Sequence, residues 1–173
     1  MKKVFNLPLN LLTDKYLIGT LGKPHSLKGF QYIKIDSFFK NLNLKDIELY
    51  IQDEIYKVEE FKRHLKDRNL IKFQNVHSIN EAETLRNNKV FITKNYSNVL
   101  LNIDNLPWPG FFLNTVINKS GHKLISYKIY NNFLFCKVEN VNDYEIPYNN
   151  SFFNYEDNIL TLKNSDLAVN PFK

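Results

Sequence analysis

Ile18-Gly19-Thr20-Leu21-Gly22-Lys23-Pro24-His25-Ser26-Leu27-Lys28-Gly29 is the stretch around which this 173-residue chain is organised. Residues 16–21 read as a short strand. A loop punctuated by glycine and proline follows, and Phe30 to Asp36 reads as a second strand. Gly19, Gly22 and Gly29 are three of only five glycines in the chain. Glycine serves where a backbone needs positive φ or a close approach. Its concentration beside Lys23, His25 and Lys28 describes either a tight barrel turn that happens to be basic or a shaped contact loop. Spacing alone leaves both open, and His25 reads equally as a loop residue bonded to nearby backbone.

Outward from this loop the pattern is period two. Ile33 and Ile35 alternate with Lys34 and Asp36, and Ile47, Leu49 and Ile51 alternate with Glu48, Tyr50 and Gln52. Gln52-Asp53-Glu54 turns into a strand from Ile55 to Phe61. Lys62-Arg63-His64-Leu65-Lys66-Asp67-Arg68 places five basic-type side chains in seven positions. Asp67-Arg68-Asn69 is the turn candidate, with Leu70 to Phe73 as the next strand. Ser78-Ile79-Asn80-Glu81 is a capping box opening a short helix, which Asn87-Asn88 stops. Val90-Phe91-Ile92 closes this half as a strand.

Residues 96–107 lose the alternation and form the expected linker. They separate a first domain, 15–95, from a second, 108–173, with 1–14 as an aperiodic leader. The second half opens on Trp108-Pro109-Gly110-Phe111-Phe112. Short strands follow at close spacing, turned by Asn118-Lys119-Ser120-Gly121, Asn131-Asn132 and Asn140 to Asp143. Ile146-Pro147 ends an edge segment, and Asn154 to Asn158 connects to a strand at Ile159 to Leu162. The pattern predicts an all-β protein of two small β-barrel domains with one short helix.

Charge divides unevenly. Residues 1–97 carry 17 Lys+Arg against 11 Asp+Glu, whereas residues 98–173 carry 6 against 7. The abundance of Asn, Lys, Ile, Phe and Tyr fits an AT-rich genome, which would raise lysine in both halves. The asymmetry is therefore the informative part. A basic first half suits a phosphate backbone, and a near-neutral aromatic second half suits a protein surface. No run approaches the roughly 20 apolar residues of a membrane helix. The one cysteine, Cys136, excludes an internal disulfide and reads as a buried, inert thiol. The expected setting is the cytoplasm.

Nothing nominates an active site. No glycine-rich loop ends in Lys-Ser/Thr. His25, His64, His77 and His122 follow no zinc spacing. Glu59 and Glu60 point to opposite strand faces and read as a solvated charge run. The expectation is a non-enzyme without cofactor or metal. The chemistry that remains is basic side chains interleaved with aromatics: Lys23, His25, Lys28, Lys62, Arg63, Lys66 and Arg68 for phosphates, with Tyr32 or Tyr56 for stacking. Trp108 reads either as a core anchor or as an interface residue.

These marks together resemble the RimM family of bacterial ribosome maturation factors. The family's first domain opens with an apolar-Gly strand and a His-Gly-Leu-Lys-Gly loop. Ile18-Gly19 and His25-Ser26-Leu27-Lys28-Gly29 correspond, with Ser26 at the first glycine. Arg63-His64, Asn80-Glu81-Ala82-Glu83, Leu85-Arg86 and Val90-Phe91-Ile92 follow in the family's order, with Asn87 in place of the glycine after the arginine. The second half is similar to the family's PRC-barrel domain through Asn118-Lys119-Ser120-Gly121, Asn131-Asn132 and Ile146-Pro147. It departs where the family opens this domain with Tyr-Tyr-Trp and Asp-Leu-x-Gly. Here Leu106-Pro107-Trp108 stands in that register, and Gly110 and Leu113 replace the Asp and Gly.

The resemblance implies a translation-factor-like first barrel and a monomeric, non-enzymatic factor that binds the small ribosomal subunit precursor. It implies contact with head-region 16S rRNA and with a ribosomal protein of the uS19 family, promoting 16S rRNA processing and head assembly. The basic residues above become rRNA candidates, and Trp108, Phe111 and Phe112 become candidates for the ribosomal protein. A different class stays open: an RNA-binding, translation-factor-like protein acting on mature ribosomes or tRNA.

Overall fold

The structure, a computed structural model, describes residues 14–139, 141 and 145–163. The leader expected at 1–14 lies outside these apart from Asp14, as do Asn140, most of the following turn, and residues 164–173. The chain divides into two compact units. The first comprises the described residues up to Asp36 together with Asn43–Tyr96, and the second comprises Ser37–Leu42 and the chain from Ser97 onward.

The first unit is a closed antiparallel barrel. Its strands are β1 (Lys15–Pro24), β2 (Gln31–Ile35), β3 (Glu48–Ile51), β4 (Glu54–His64), β5 (Arg68–Phe73) and β6 (Lys89–Thr93). They close in the order β1-β2-β5-β4-β3-β6. Closure removes the exposed edges that an open sheet of this size would present. The alternation read from the sequence becomes an interior of Ile18, Leu21, Ile33, Ile35, Leu49, Ile51, Val58, Ile71, Phe73, Val90 and Ile92. Gln52-Asp53, with φ of 52° and 64°, makes the two-residue turn between β3 and β4.

Helix α1 (Ile79–Thr84) carries the expected capping box. The Glu81 N–H donates to Ser78 Oγ at 3.2 Å, and the Glu81 carboxylate accepts from the Ser78 N–H at 3.0 Å. Asn87 ends this segment at φ 65°, the left-handed geometry expected of a C-terminal asparagine. One turn differs from the pattern. Arg68 and Asn69 open β5, and the chain reverses earlier, at Leu65–Asp67, where Lys66 takes φ 60°. The ladder pairs Arg63 with Asn69 and His64 with Arg68. Pairing therefore runs on where charged side chains erase the apolar alternation that marks a strand.

In the second unit β7 (Leu124–Tyr130), β8 (Phe133–Val138) and β9 (Glu145–Pro147) form a three-stranded antiparallel sheet, with β7 and β9 at its edges. β10 (Phe153–Glu156) and β11 (Ile159–Leu162) form a two-stranded one. β10 occupies part of the stretch read as a connection, because Asn154 hides its alternation while Phe153 is fully buried. Asn131-Asn132 and Asp157-Asn158 turn the two hairpins, all four residues at positive φ. The Leu162 N–H donates to Ile117 C=O at 2.7 Å and the Tyr148 N–H to Leu134 C=O at 2.8 Å, tying loops to the sheets.

The aromatic opening of this unit forms its centre. Pro109–Phe112 is a single 3₁₀ turn, with proline at its start where no N–H is needed. The Trp108 ring packs edge-on against Phe39, Phe111 and Tyr127, with centroids 5.2, 5.2 and 6.1 Å apart. Its indole N–H donates to Tyr127 Oη at 3.1 Å, which satisfies the one polar atom it buries. Gly110 lies so close beneath the indole that a methyl group there would fall 2.4 Å from Cζ2. Phe39, fully buried, reaches this core from Ser37–Leu42, a segment of the 15–95 stretch that packs with the second unit.

Candidate nucleic-acid interface

The register of β2, β5 and β4 sorts the basic residues by face. Directly paired residues share a face of a sheet. Ile33 pairs with Asn69 and Asn69 with Arg63, while Tyr32 pairs with Leu70 and Leu70 with Lys62. Ile33 and Asn69 are buried, so their row faces the barrel interior, with Arg63 exposed at its end. Tyr32, Lys62, His64 and Arg68 therefore belong to the opposite, outer face.

The loop between β1 and β2 folds onto that face. Its ends are clamped by the His25 N–H donating to Phe30 C=O at 2.8 Å. Within it the Gly29 N–H donates to Ser26 C=O at 3.3 Å, and Ser26 Oγ accepts from the Lys28 N–H at 3.3 Å. Ser26 is absent from the positive-φ residues, so its side chain costs nothing where the family loop has glycine. Gly29 is different, at φ +84°, with the position of a Cβ only 2.4 Å from Val76 O. Gln31, 1% exposed, fixes the loop from below: its Nε2 donates to Gly22 C=O at 2.8 Å and to Ala82 C=O at 3.1 Å. One buried amide thus ties β1 and α1 to the root of the loop.

The result is a compact group of rings and cations. The His25 ring lies 4.5 Å from His64 and 5.1 Å from Tyr32, both edge-on, and Tyr32 and His64 are 5.9 Å apart. The Arg68 guanidinium sits 4.7 Å over the Tyr32 ring. Lys62 lies 4.2 Å over the Phe30 ring and pairs with Glu60 at 2.6 Å. Partial desolvation comes first, then the charges of His25, Arg68 and Lys62. Together they hold the His64 imidazole below the ordinary histidine value. The charges that depress it are all positive, so the face favours an anion.

Of the residues singled out in the sequence, His25, Lys62 and Arg68 come together here. Lys23 stands at the end of β1, Lys28 lies on the loop after it, Lys66 lies in the β4–β5 turn, and Arg63 lies on the other sheet face. His64 and Phe30 were missed as site residues. Their signal was the pairing of a strand-end histidine with Arg68, which only register reveals. Tyr56, the other stacking candidate, packs its ring 5.5 Å from Phe73 and donates to Glu54 at 3.1 Å.

Trp108, Phe111 and Phe112 require correction as partner-binding candidates. They are 4%, 1% and 3% exposed, so their area is spent inside the second unit. The core-anchor reading of Trp108 is the one the packing bears out. Among the described residues the large exposed apolar side chains of this unit include Ile129, Tyr130 and Phe133, at the tip of the β7–β8 hairpin. Cys136 is fully buried, and burial pushes its thiol far up. A groove of about 760 Å³ beside Ile117, Asn118, Thr161 and Lys163 has no acid, histidine or cysteine in its lining. Among the described residues no three metal-ligating side chains converge, and no helix is long and apolar enough to cross a membrane.

Barrel closure, the glycine-turned basic loop, the capped helix and the β4–β5 hairpin define a small antiparallel β-barrel domain with a basic, aromatic outer face. The family model of the RimM N-terminal domain matches residues 16–96. By that match, residues 16–96 are a RimM N-terminal domain. Among solved structures it is similar to the N-terminal domain of RimM from Thermus thermophilus, at 19% identity and a TM-score of 0.39. That match covers 54% of this chain and 95% of that one. It is also similar to a RimM protein from Pseudomonas aeruginosa, whose name as a 16S ribosomal RNA processing protein is provisional. There the identity is 13% and the TM-score 0.39, covering 83% of this chain and 92% of the other. No curated protein matches the sequence.

Proposed function

We propose that this chain is a non-enzymatic maturation factor of the small ribosomal subunit, acting in the cytoplasm as a monomer. It binds the subunit precursor and promotes 16S rRNA processing and head assembly. The observation that carries this reading is the outer barrel face of His25, Tyr32, Lys62 and Arg68 inside a RimM N-terminal domain. Cations over aromatic rings at a strand surface suit RNA, where phosphates and unstacked bases are met together. Lys23, Lys28 and Lys66 extend the positive surface around it, and Arg63 adds charge at the barrel rim. The second unit meets a ribosomal protein of the uS19 family. For that contact the apolar hairpin tip of Ile129, Tyr130 and Phe133 offers the area that Trp108, Phe111 and Phe112 do not.

Maturation by such a factor is differential binding: it favours a precursor conformation and loses affinity for the finished particle. Sucrose-gradient sedimentation of a lysate tests this. The protein is expected with free small subunits and absent from whole ribosomes. Equal binding to mature ribosomes would replace maturation with a role in translation itself.

A further inference from the structure

The two histidines of the barrel face stand in an unusual relation. Their rings are 4.5 Å apart, closer than any other ring pair in the cluster. Each comes from a different element: His25 from the loop after β1, His64 from the end of β4. Around them stand Tyr32 of β2, Lys62 of β4 and Arg68 of β5. Lys62 is engaged by Glu60, whereas the Arg68 guanidinium lies over a ring and its Nε donates to Leu65 C=O at 3.3 Å. A ring shields a guanidinium from water on one side without neutralising it. The group is therefore cationic, partly desolvated and built from fixed parts. The loop is clamped at both ends, Gly29 is locked against Val76, and Gln31 braces the loop root.

We propose that His25, His64 and Arg68 form a phosphodiester site, and that His64 takes up a proton as an RNA phosphate binds there. This rests on the RNA-binding reading above and adds the residue-level chemistry and its pH dependence. Neutral imidazole donates one N–H, whereas imidazolium donates two and carries charge. In the free protein the cations of Arg68 and Lys62 oppose a proton on His64, as does a charge on His25. A bound phosphate reverses that balance by placing an anion among them. Because affinity and protonation are linked, whatever phosphate does to the His64 proton, the proton does to phosphate affinity. Binding thus tightens as pH falls from the bound-state value of His64 to its lower free-state value, and is level below both. The carboxylates of a protein ligand would produce the same sign. The chosen probe is therefore RNA, and a carboxylate competitor serves as the control.

The test uses the full chain and a fluorescent single-stranded RNA 12-mer of mixed sequence, at constant ionic strength from pH 8 to 5.5. Affinity is expected to rise about tenfold, the equivalent of one unit of pKa difference between free and bound His64. The His64→Gln variant should bind more weakly than the parent and lose most of the rise with falling pH. A direct readout that needs no variant is the histidine-ring NMR titration. The His64 resonance should shift to a higher titration midpoint when RNA is added, and stay put when polyglutamate is added instead. Tight binding with no pH slope, or the same slope in His64→Gln, would overturn the proton coupling and leave the RNA reading standing. A midpoint raised by polyglutamate as much as by RNA would overturn the phosphate assignment. No binding of the 12-mer or of small-subunit rRNA at any pH would overturn both readings.

Discussion

Gly29 and Asn87 occupy the same left-handed region, at φ +84° and 65°, for different reasons. At Gly29 both the dihedral and the space exclude a side chain, because a Cβ would meet the Val76 carbonyl oxygen at 2.4 Å. At Asn87 only the dihedral is demanding, and asparagine tolerates it. The two positions therefore respond in opposite directions. Gly29→Ala is expected to cost about 2–3 kcal/mol, combining left-handed strain with backbone displacement. Asn87→Gly, at a position where the family has glycine, should gain up to about 1 kcal/mol. Urea unfolding of the two variants checks both signs, and a neutral Gly29→Ala would contradict the packing of the loop on Val76. The same loop would lose its hold on the histidine cluster, so Gly29→Ala should also weaken RNA binding. His64 bears on stability with a definite sign. Its folded value lies below the ordinary one, so its contribution is full above the unfolded value and declines as pH falls toward the folded one.

At the scale of elements, the β4–β5 hairpin decides which cations act together. The pattern Lys62-Arg63-His64-Leu65-Lys66-Asp67-Arg68 reads as one basic run, yet the ladder divides it. Lys62, His64 and Arg68 share the Tyr32 face, and Arg63 goes to the other. This gives a graded expectation for RNA binding. Arg68→Gln should lower the steepness of log affinity against log salt by about 1, and remove more affinity than a single phosphate contact because Tyr32 loses its cation as well. Arg63→Gln should change the slope less. Filter binding to small-subunit rRNA between low and high salt compares them; equal effects at the two positions would show that charge, not facing, governs the contact. The second unit teaches the complementary point. Trp108-Pro109-Gly110-Phe111-Phe112 has the composition of a binding surface, but its aromatics are consumed in packing. Gly110 is what lets the indole lie across the chain.

For the whole molecule, the charge is uneven along the chain, as a division of work between an RNA contact and a protein contact would require. Seventeen basic residues against 11 acidic ones lie in residues 1–97, and the remainder is close to neutral. On the proposed reading, the positive charge of the first half would draw it to RNA at long range, while apolar area at the β7–β8 hairpin suits a protein surface. A factor working by this division is expected to be dispensable to finished ribosomes and needed while they are made. Its depletion in the source organism should therefore accumulate unprocessed small-subunit rRNA and free subunits, read by primer extension and gradient profiles. Normal processing after depletion would contradict the maturation role.

Much of this architecture was legible in the chain itself. Alternating Ile33, Ile35, Leu49 and Ile51, the Ser78–Glu81 capping box and the Asn131-Asn132 turn are local signals, and each appears in the structure as read. They depend on period, dihedral preference and near-neighbour hydrogen bonds, which sequence carries directly. The candidate site was legible only as a list of basic residues. Which of them meet depends on strand register and on barrel closure, and both are set by contacts far apart in the chain. His64 acquires its neighbours because β4 pairs with β5 while the β1–β2 loop folds over β2. Trp108 loses its surface because Phe39, from a distant part of the chain, packs on it. The order of residues was enough to establish most of the strands, the helix and the chemistry available. Which side chains that chemistry belongs to emerged only in the folded molecule, because facing and burial are properties of pairing across the fold.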